Sequence, residues 1–198
     1  MSKSNVFEEP FEGTLREGWT FIAEAPEAVR VGDGVLHLRT LPGTLWGERN
    51  DAHNILIRPE TEVVEGLTSE VTVTNAPVLQ GEQAGMNWYV DKATYVKLVK
   101  ENLGGTVWIV LAREENDVGT LVNRIPMTAG TVRLRLSLRD DTVVGESRAE
   151  GDTAWTTVGT CAPPPSTTVR PGIFSHGGPD DEERWAELSA FTSYVEEV

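Results

Sequence analysis

Apolar and polar residues alternate along most of the chain with the period of two that a half-buried β-strand imposes. The cleanest run is 132–138, where Val132, Leu134, Leu136 and Leu138 take one side and Arg133, Arg135 and Ser137 the other, with Arg139 continuing the polar row. Two more runs, 83–90 and 94–101, are joined by Asp91-Lys92-Ala93 and predict a hairpin. Its apolar side carries Ala84, Met86, Trp88, Val96 and Leu98. Its other side carries Gln83, Asn87, Tyr89, Tyr95, Lys97 and Glu101, richer in hydrogen-bonding groups than a plain solvent face requires.

Shorter alternating runs predict strands at 19–24, 28–31, 35–40, 52–57, 68–74, 106–114, 142–149, 152–158, 172–176 and 185–195, the last with a bend at Glu187. Gly32-Asp33-Gly34 and Gly104-Gly105 mark turns, residues 116–119 turn the chain again, and Pro163 to Pro165 break it. Trp19, Trp88 and Trp155 are expected in the core. No stretch keeps a helical period. This pattern predicts one all-β domain over residues 1–198, a two-sheet antiparallel β-sandwich of jelly-roll type, whose concave sheet face is the natural place for an extended ligand.

The chain has 198 residues, 39% of them hydrophobic, enough for one well-filled core. Its 17 basic and 31 acidic residues leave a net charge of -14, which repels phosphate backbones and anionic lipid. Nucleic acid and membrane partners are therefore not expected. One cysteine, Cys161, excludes an internal disulfide, and the opening residues lack an apolar run, so a cytoplasmic location is expected.

Gly81-Glu82-Gln83-Ala84-Gly85-Met86, followed by Tyr95-Val96-Lys97-Leu98, resembles the concanavalin A-like domain at the C-terminus of family 43 β-xylosidases and its single-domain relatives of unknown function. Gly34-Val35-Leu36-His37-Leu38, Val132-Arg133-Leu134-Arg135, Trp155 and Pro171-Gly172-Ile173-Phe174 extend the likeness over nearly the whole chain. The resemblance implies a concanavalin A-like jelly roll. The chain departs from it in carrying one arginine, Arg49, where relatives tend to have two. The closing strand at Ala190-Phe191 lacks their aspartate, and the 198 residues hold no counterpart of their five-bladed catalytic domain.

Three functions follow as expectations. The first is a lectin-like protein that holds a saccharide or sugar derivative on the concave face. Tyr89, Tyr95 and Trp108 would stack on it, and Glu48, Arg49, Asn87, Lys97, Arg133, Arg135 and His176 would hydrogen-bond it. The second is a glycoside hydrolase or lyase using Glu48, Glu101 or His53 for proton transfer. The E-x-D-x-x-E strand of laminarinase-type enzymes is absent from the sequence, and glycosidases need two carboxyl groups about 5 to 9.5 Å apart. The third is an interaction or accessory-subunit module, acting as a homodimer or beside a partner subunit. Of metal sites, a structural calcium on Glu8, Glu12 and Asp33 is the candidate, and no other cofactor is expected. Residues 41–51 read as a loop, with Trp46, Glu48, Arg49, Asn50 and Asp51 crowded together as in functional loops.

Overall fold

The alternating runs become strands that pair antiparallel throughout, as the computed structural model of the protein shows for residues 2–197. In chain order they are β1 (Lys3–Glu9), β2 (Thr20–Ile22), β3 (Val29–Gly32), β4 (Val35–Arg39), β5 (Leu45–Trp46), β6 (Arg49–Asn50), β7 (Ile55–Ile57), β8 (Thr61–Glu62) and β9 (Leu67–Thr74). Then follow β10 (Gln83–Asp91), β11 (Thr94–Leu103), β12 (Thr106–Glu115), β13 (Val118–Pro126), β14 (Thr131–Arg139), β15 (Thr142–Ala149), β16 (Thr156–Cys161), β17 (Thr168–His176) and β18 (Trp185–Glu196). A single 3-10 turn, Pro26–Ala28, is the only helical element among the described residues, and none of them forms a helix long and apolar enough to cross a membrane.

One sheet runs β16-β15-β14-β9-β18-β4-β3, with β1 also on β18; the other runs β13-β12-β11-β10-β17-β7-β2, with β8 also on β17. We call them the front sheet (β13 to β2) and the back sheet (β16 to β3). Their inner faces meet in one apolar cluster, with Leu36, Leu38, Val71, Val73, Leu134 and Leu136 from the back and Met86, Trp88, Val96, Leu98, Leu111 and Ile173 from the front. A hydrogen bond of 3.0 Å from Trp88 Nε1 to Ser69 Oγ crosses the layer, so the buried indole N–H is satisfied.

The structure corrects four local expectations. β13 was not predicted, because its exposed residues interleave Thr, Asn and Arg without strict alternation. Trp155 is outside the core, half-buried on the back sheet's outer face under Arg135 and Arg148, 4.1 and 4.8 Å from its ring centroid. The bend in β18 falls at Ala190, which takes φ 49° where the register slips, rather than at Glu187. The 41–51 loop contains its own two-residue-strand hairpin, β5 with β6.

Candidate functional site

Gly43 makes that hairpin possible. It sits at φ 119°, and a Cβ there would lie 2.8 Å from the Asp51 carbonyl, so only glycine lets the chain fold back this closely. The Asp51 and Ala52 amides then donate to Thr44 O at 3.1 and 3.2 Å, and Thr44 N–H donates to Asp51 Oδ1 at 2.8 Å. Thus closed, the hairpin lies over the outer face of β10, β11, β12 and β17. Leu45 inserts into a second apolar cluster there, with Ile55, Ile57, Tyr89, Tyr95, Val99, Val110 and Phe174.

The Leu45 main chain plugs a polar trio beneath it. Its carbonyl accepts from Lys97 Nζ at 2.9 Å and lies 2.7 Å from the Tyr95 hydroxyl, and its N–H donates to His176 Nε2 at 3.2 Å. Because Nε2 accepts, the ring proton belongs on Nδ1. Burial, reinforced by the Lys97 charge, holds His176 well below the usual histidine range. Glu114 anchors the hairpin's far end: it takes the Gly47 N–H at 2.7 Å and Asn50 Nδ2 at 3.2 Å, and lies 2.7 Å from the Tyr95 hydroxyl. With one proton, that hydroxyl donates to Leu45 O or to Glu114 at any moment.

At the other end of the same face a cavity of about 340 Å³ opens, bounded by Trp46, Gln83, Lys97, Glu101 and the apolar Leu103, Val110, Ala112 and Leu121. Trp46 reaches it because Gly119 has no side chain; a Cβ at Gly119 would come within 2.6 Å of the indole. The Lys97 ammonium lies 5.1 Å from the centre of the Trp46 ring, a cation–π distance. Gln83 Nε2 donates to Glu101 Oε1 at 2.9 Å and to Gly81 O at 3.2 Å.

Burial dominates the titration of both charged walls. It lowers Lys97 to about 8, opposed by Glu101 and Glu114, and it raises Glu101, opposed by Lys97 and Arg124. Several buried polar atoms on this face have no partner: Gln83 Oε1, both amide atoms of Asn87, and His176 Nδ1. Asn87 is fully buried, and an amide left unmet there costs free energy.

Comparison with known proteins fixes the architecture. The GH43 protein BlXynB of Bacillus licheniformis superposes with a TM-score of 0.80 at 20% identity, over 95% of this chain and 39% of that one. A functionally unknown protein from Saccharomyces cerevisiae gives 0.72 at 15% identity, covering 91% of this chain and 98% of the other. A β-glucanase of Bacillus licheniformis gives 0.62 at 12% identity, covering 97% and 98%. The fold is a concanavalin A-like jelly roll. No protein-family model matches the sequence, and no curated protein does. The chain spans about two fifths of the length of the GH43 protein.

On this concanavalin A-like scaffold the sequence-derived candidates scatter. Asn87, Tyr89, Tyr95, Lys97, Trp108, Glu101 and His176 share the outer face of the front sheet, but Tyr89 and Tyr95 are buried under the hairpin, stacked 6.4 Å apart at 5°. They are packing, with no free face for a ligand. Trp108 is half-buried beside Glu101, its Nε1 donating to Leu103 O at 3.2 Å and Arg124 resting 4.4 Å from its ring. Arg133 and Arg135 lie on the back sheet, across the core, in bonds of 2.8 Å to Glu70 and 2.8 Å to Glu146. Glu48 and Arg49 sit exposed at the hairpin tip, Arg49 paired with Asp51 at 2.9 Å. His53 is exposed, its Nδ1 3.2 Å from Ala23 O.

Glu114 pairs in register with Tyr95, six residues along β11 from Glu101. At about 3.3 Å per residue that is roughly 20 Å, twice the span of a glycosidase pair. Glu48 follows Gly47 at the Glu114 end. Glu12 and Asp33 border one shallow depression with Gly13, Gly32 and Gly34, whereas Glu8 projects from β1 opposite Thr192. Among the described residues no three His, Cys, Asp or Glu side chains are grouped to hold a metal. The buried carboxylate at this end is Glu9, which accepts from the Phe11 and Arg16 amides and Trp19 Nε1 at 3.0, 2.8 and 2.9 Å.

Two residues that matter were not among the candidates. Gln83 was on the right face and hidden only by its ordinary polarity. Trp46 was visible as an aromatic ring in a loop crowded with specific side chains; its destination over β13 depends on Gly119, which no local pattern connects to it.

Proposed function

We propose that the protein binds a neutral saccharide or sugar-like polyol in the cavity between Trp46 and the Gln83–Lys97–Glu101 wall. The observation that carries this reading is the convergence, at one opening, of a 39% exposed indole with an amide, a carboxylate and an ammonium. A sugar ring presents a flat C–H face to an aromatic ring and hydroxyls that both donate and accept, which suits this mixture. The cavity's volume is that of a site for one ring, and its opposed charges favour a neutral guest over an anion. The likeness to a module of a GH43 protein and to a β-glucanase supports a carbohydrate-related role. Catalysis by paired carboxylates is not the favoured reading, because Glu101 is the only carboxylate lining the cavity among the described residues.

A thermal-shift series with methyl pentosides and hexosides tests the reading, since a guest held only by the folded state raises its apparent stability. A rise that Trp46→Ala abolishes supports it; an unchanged rise in that variant moves the site elsewhere. A second reading, an accessory module that docks a protein partner, is favoured by β13. That strand ends the front sheet and carries Val118 and Leu121 at 68% and 44% exposure. Sedimentation of the wild type against Val118→Lys tests it through any self-association.

A further inference from the structure

The chain has four lysines, and their surroundings differ sharply. Lys92 is exposed at the β10–β11 turn, and Lys3 is exposed with its ammonium over the Tyr194 ring at 3.5 Å. Lys97 and Lys100 are buried, and burial lowers both to about 8. Charge state therefore does not separate these two; geometry does. Lys100 Nζ is locked between two main-chain carbonyls, Asn75 O at 2.6 Å and Gly130 O at 2.7 Å. Lys97 lines the cavity, and the one side-chain hydrogen bond of its Nζ among the described residues is to Leu45 O.

We propose that Lys97 captures the carbonyl group of a small aldehyde in this cavity as a reversible imine. The walls offered by Leu103, Val110, Ala112 and Leu121 keep the amine desolvated, the setting in which a lysine becomes a nucleophile toward carbonyls. The Nζ lone pair attacks the aldehyde carbon, and the carbonyl π pair moves onto oxygen, which takes up a proton, giving a carbinolamine. That proton is one of the two on nitrogen; the C–O bond then breaks as the hydroxyl takes up a second proton and leaves as water, C=N forms, and the remaining nitrogen proton returns to the group that supplied the second one. Glu101, the only carboxyl group that lines the cavity among the described residues, is placed to relay a proton to the departing hydroxyl and to take one back from the nitrogen. Aldehyde and amine go in; imine and one water come out. The guest's class is a small hydroxyaldehyde, from glyceraldehyde up to the open-chain form of a reducing sugar. The inference uses the proposed sugar cavity but does not require that any glycoside bind there.

The test is reductive trapping on the folded wild-type chain. Glyceraldehyde and cyanoborohydride are added near neutral pH, and adducts are assigned by peptide mapping. The expected result is an adduct at Lys97 forming several-fold faster than at the exposed Lys3 and Lys92, with Lys100 unmodified. Glu101→Gln should slow labelling at Lys97 and leave Lys92 unchanged. Adducts on Lys3 and Lys92 with Lys97 untouched would overturn the proposal, as would equal labelling of Lys97 and Lys100, because burial alone would then explain it. A methyl glycoside, which cannot open to an aldehyde, separates this inference from the sugar reading. Lys97 labelled but unprotected by any methyl glycoside keeps the imine and removes the sugar site. Glycoside binding without Lys97 labelling does the reverse.

Discussion

The two outer faces of the sandwich arise from the same alternating pattern, yet they reach opposite electrostatic ends. On the back sheet the two central arginines find counter-charges on neighbouring strands: Arg133 meets Glu70, Arg135 meets Glu146, and Tyr194 also donates to Glu70 at 2.9 Å. Ser137 Oγ in the same row lacks a partner, so the contrast with the other face is one of degree. On the front sheet the polar row is roofed by the 41–54 segment, its lysine and histidine are satisfied only by the Leu45 main chain, and Asn87, Gln83 Oε1 and His176 Nδ1 lack partners. Arginines paired with carboxylates need no ligand, whereas buried unmet polar groups cost free energy unless something fills them.

The largest expected effect that sharpens this contrast is on stability against pH. Lys97 is lowered to about 8 from 10.5, so the folded state carries the burden of its charge below pH 8. Between those values the unfolded chain holds a proton that the folded chain has released, and stability rises with pH. Lys97→Met should remove about 3 kcal/mol of that rise, read from denaturant midpoints across the interval. Lys100 shifts the same way, so the variant keeps its contribution and the rise does not vanish. A pH dependence between 8 and 10.5 that is the same in Lys97→Met as in the wild type would show that Lys97 is not desolvated in solution. Cys161 and the three tyrosines, which burial raises and which pull the other way in this interval, are common to both proteins.

Gly119→Val comes next. Its new methyl groups occupy the place of the Trp46 ring, and ligand affinity should fall at least tenfold, about 1.4 kcal/mol, while the exposed edge strand leaves the melting temperature nearly unchanged. Asn87→Ala should change stability by less than about 1 kcal/mol, because removing an unpartnered buried amide offsets the packing it gave up. A loss of several kcal/mol would mean that Asn87 is fully bonded. Smallest is Arg133→Ala, under about 1 kcal/mol and weaker still at high salt, since Glu70 keeps Tyr194 as partner.

How far the sequence carried these conclusions varies by region. The alternation at 83–101 and 132–138 placed every inward residue of those strands correctly, because a period of two is a local property that the core enforces. Which outward row faces which sheet is not local. Arg133 and Arg135 looked as available as Lys97, and only strand order separates them by the thickness of the core. Tyr89 and Tyr95 read as stacking platforms, yet Leu45, more than 40 residues away, covers them. The β13 strand lacked alternation because it lies at an edge with little to bury. Trp155 read as core from its size alone, and the arginines on either side of it hold it outside.

The most direct test is a titration of the protein with methyl pentosides and hexosides, followed through the indole N–H resonances of its six tryptophans. A saturable shift of the Trp46 signal is expected, with Trp19, Trp88 and Trp155 unmoved, and it should disappear in Gly119→Val. A Trp46 resonance that stays still to the solubility limit of every glycoside would mean that the Trp46 cavity is not a sugar site.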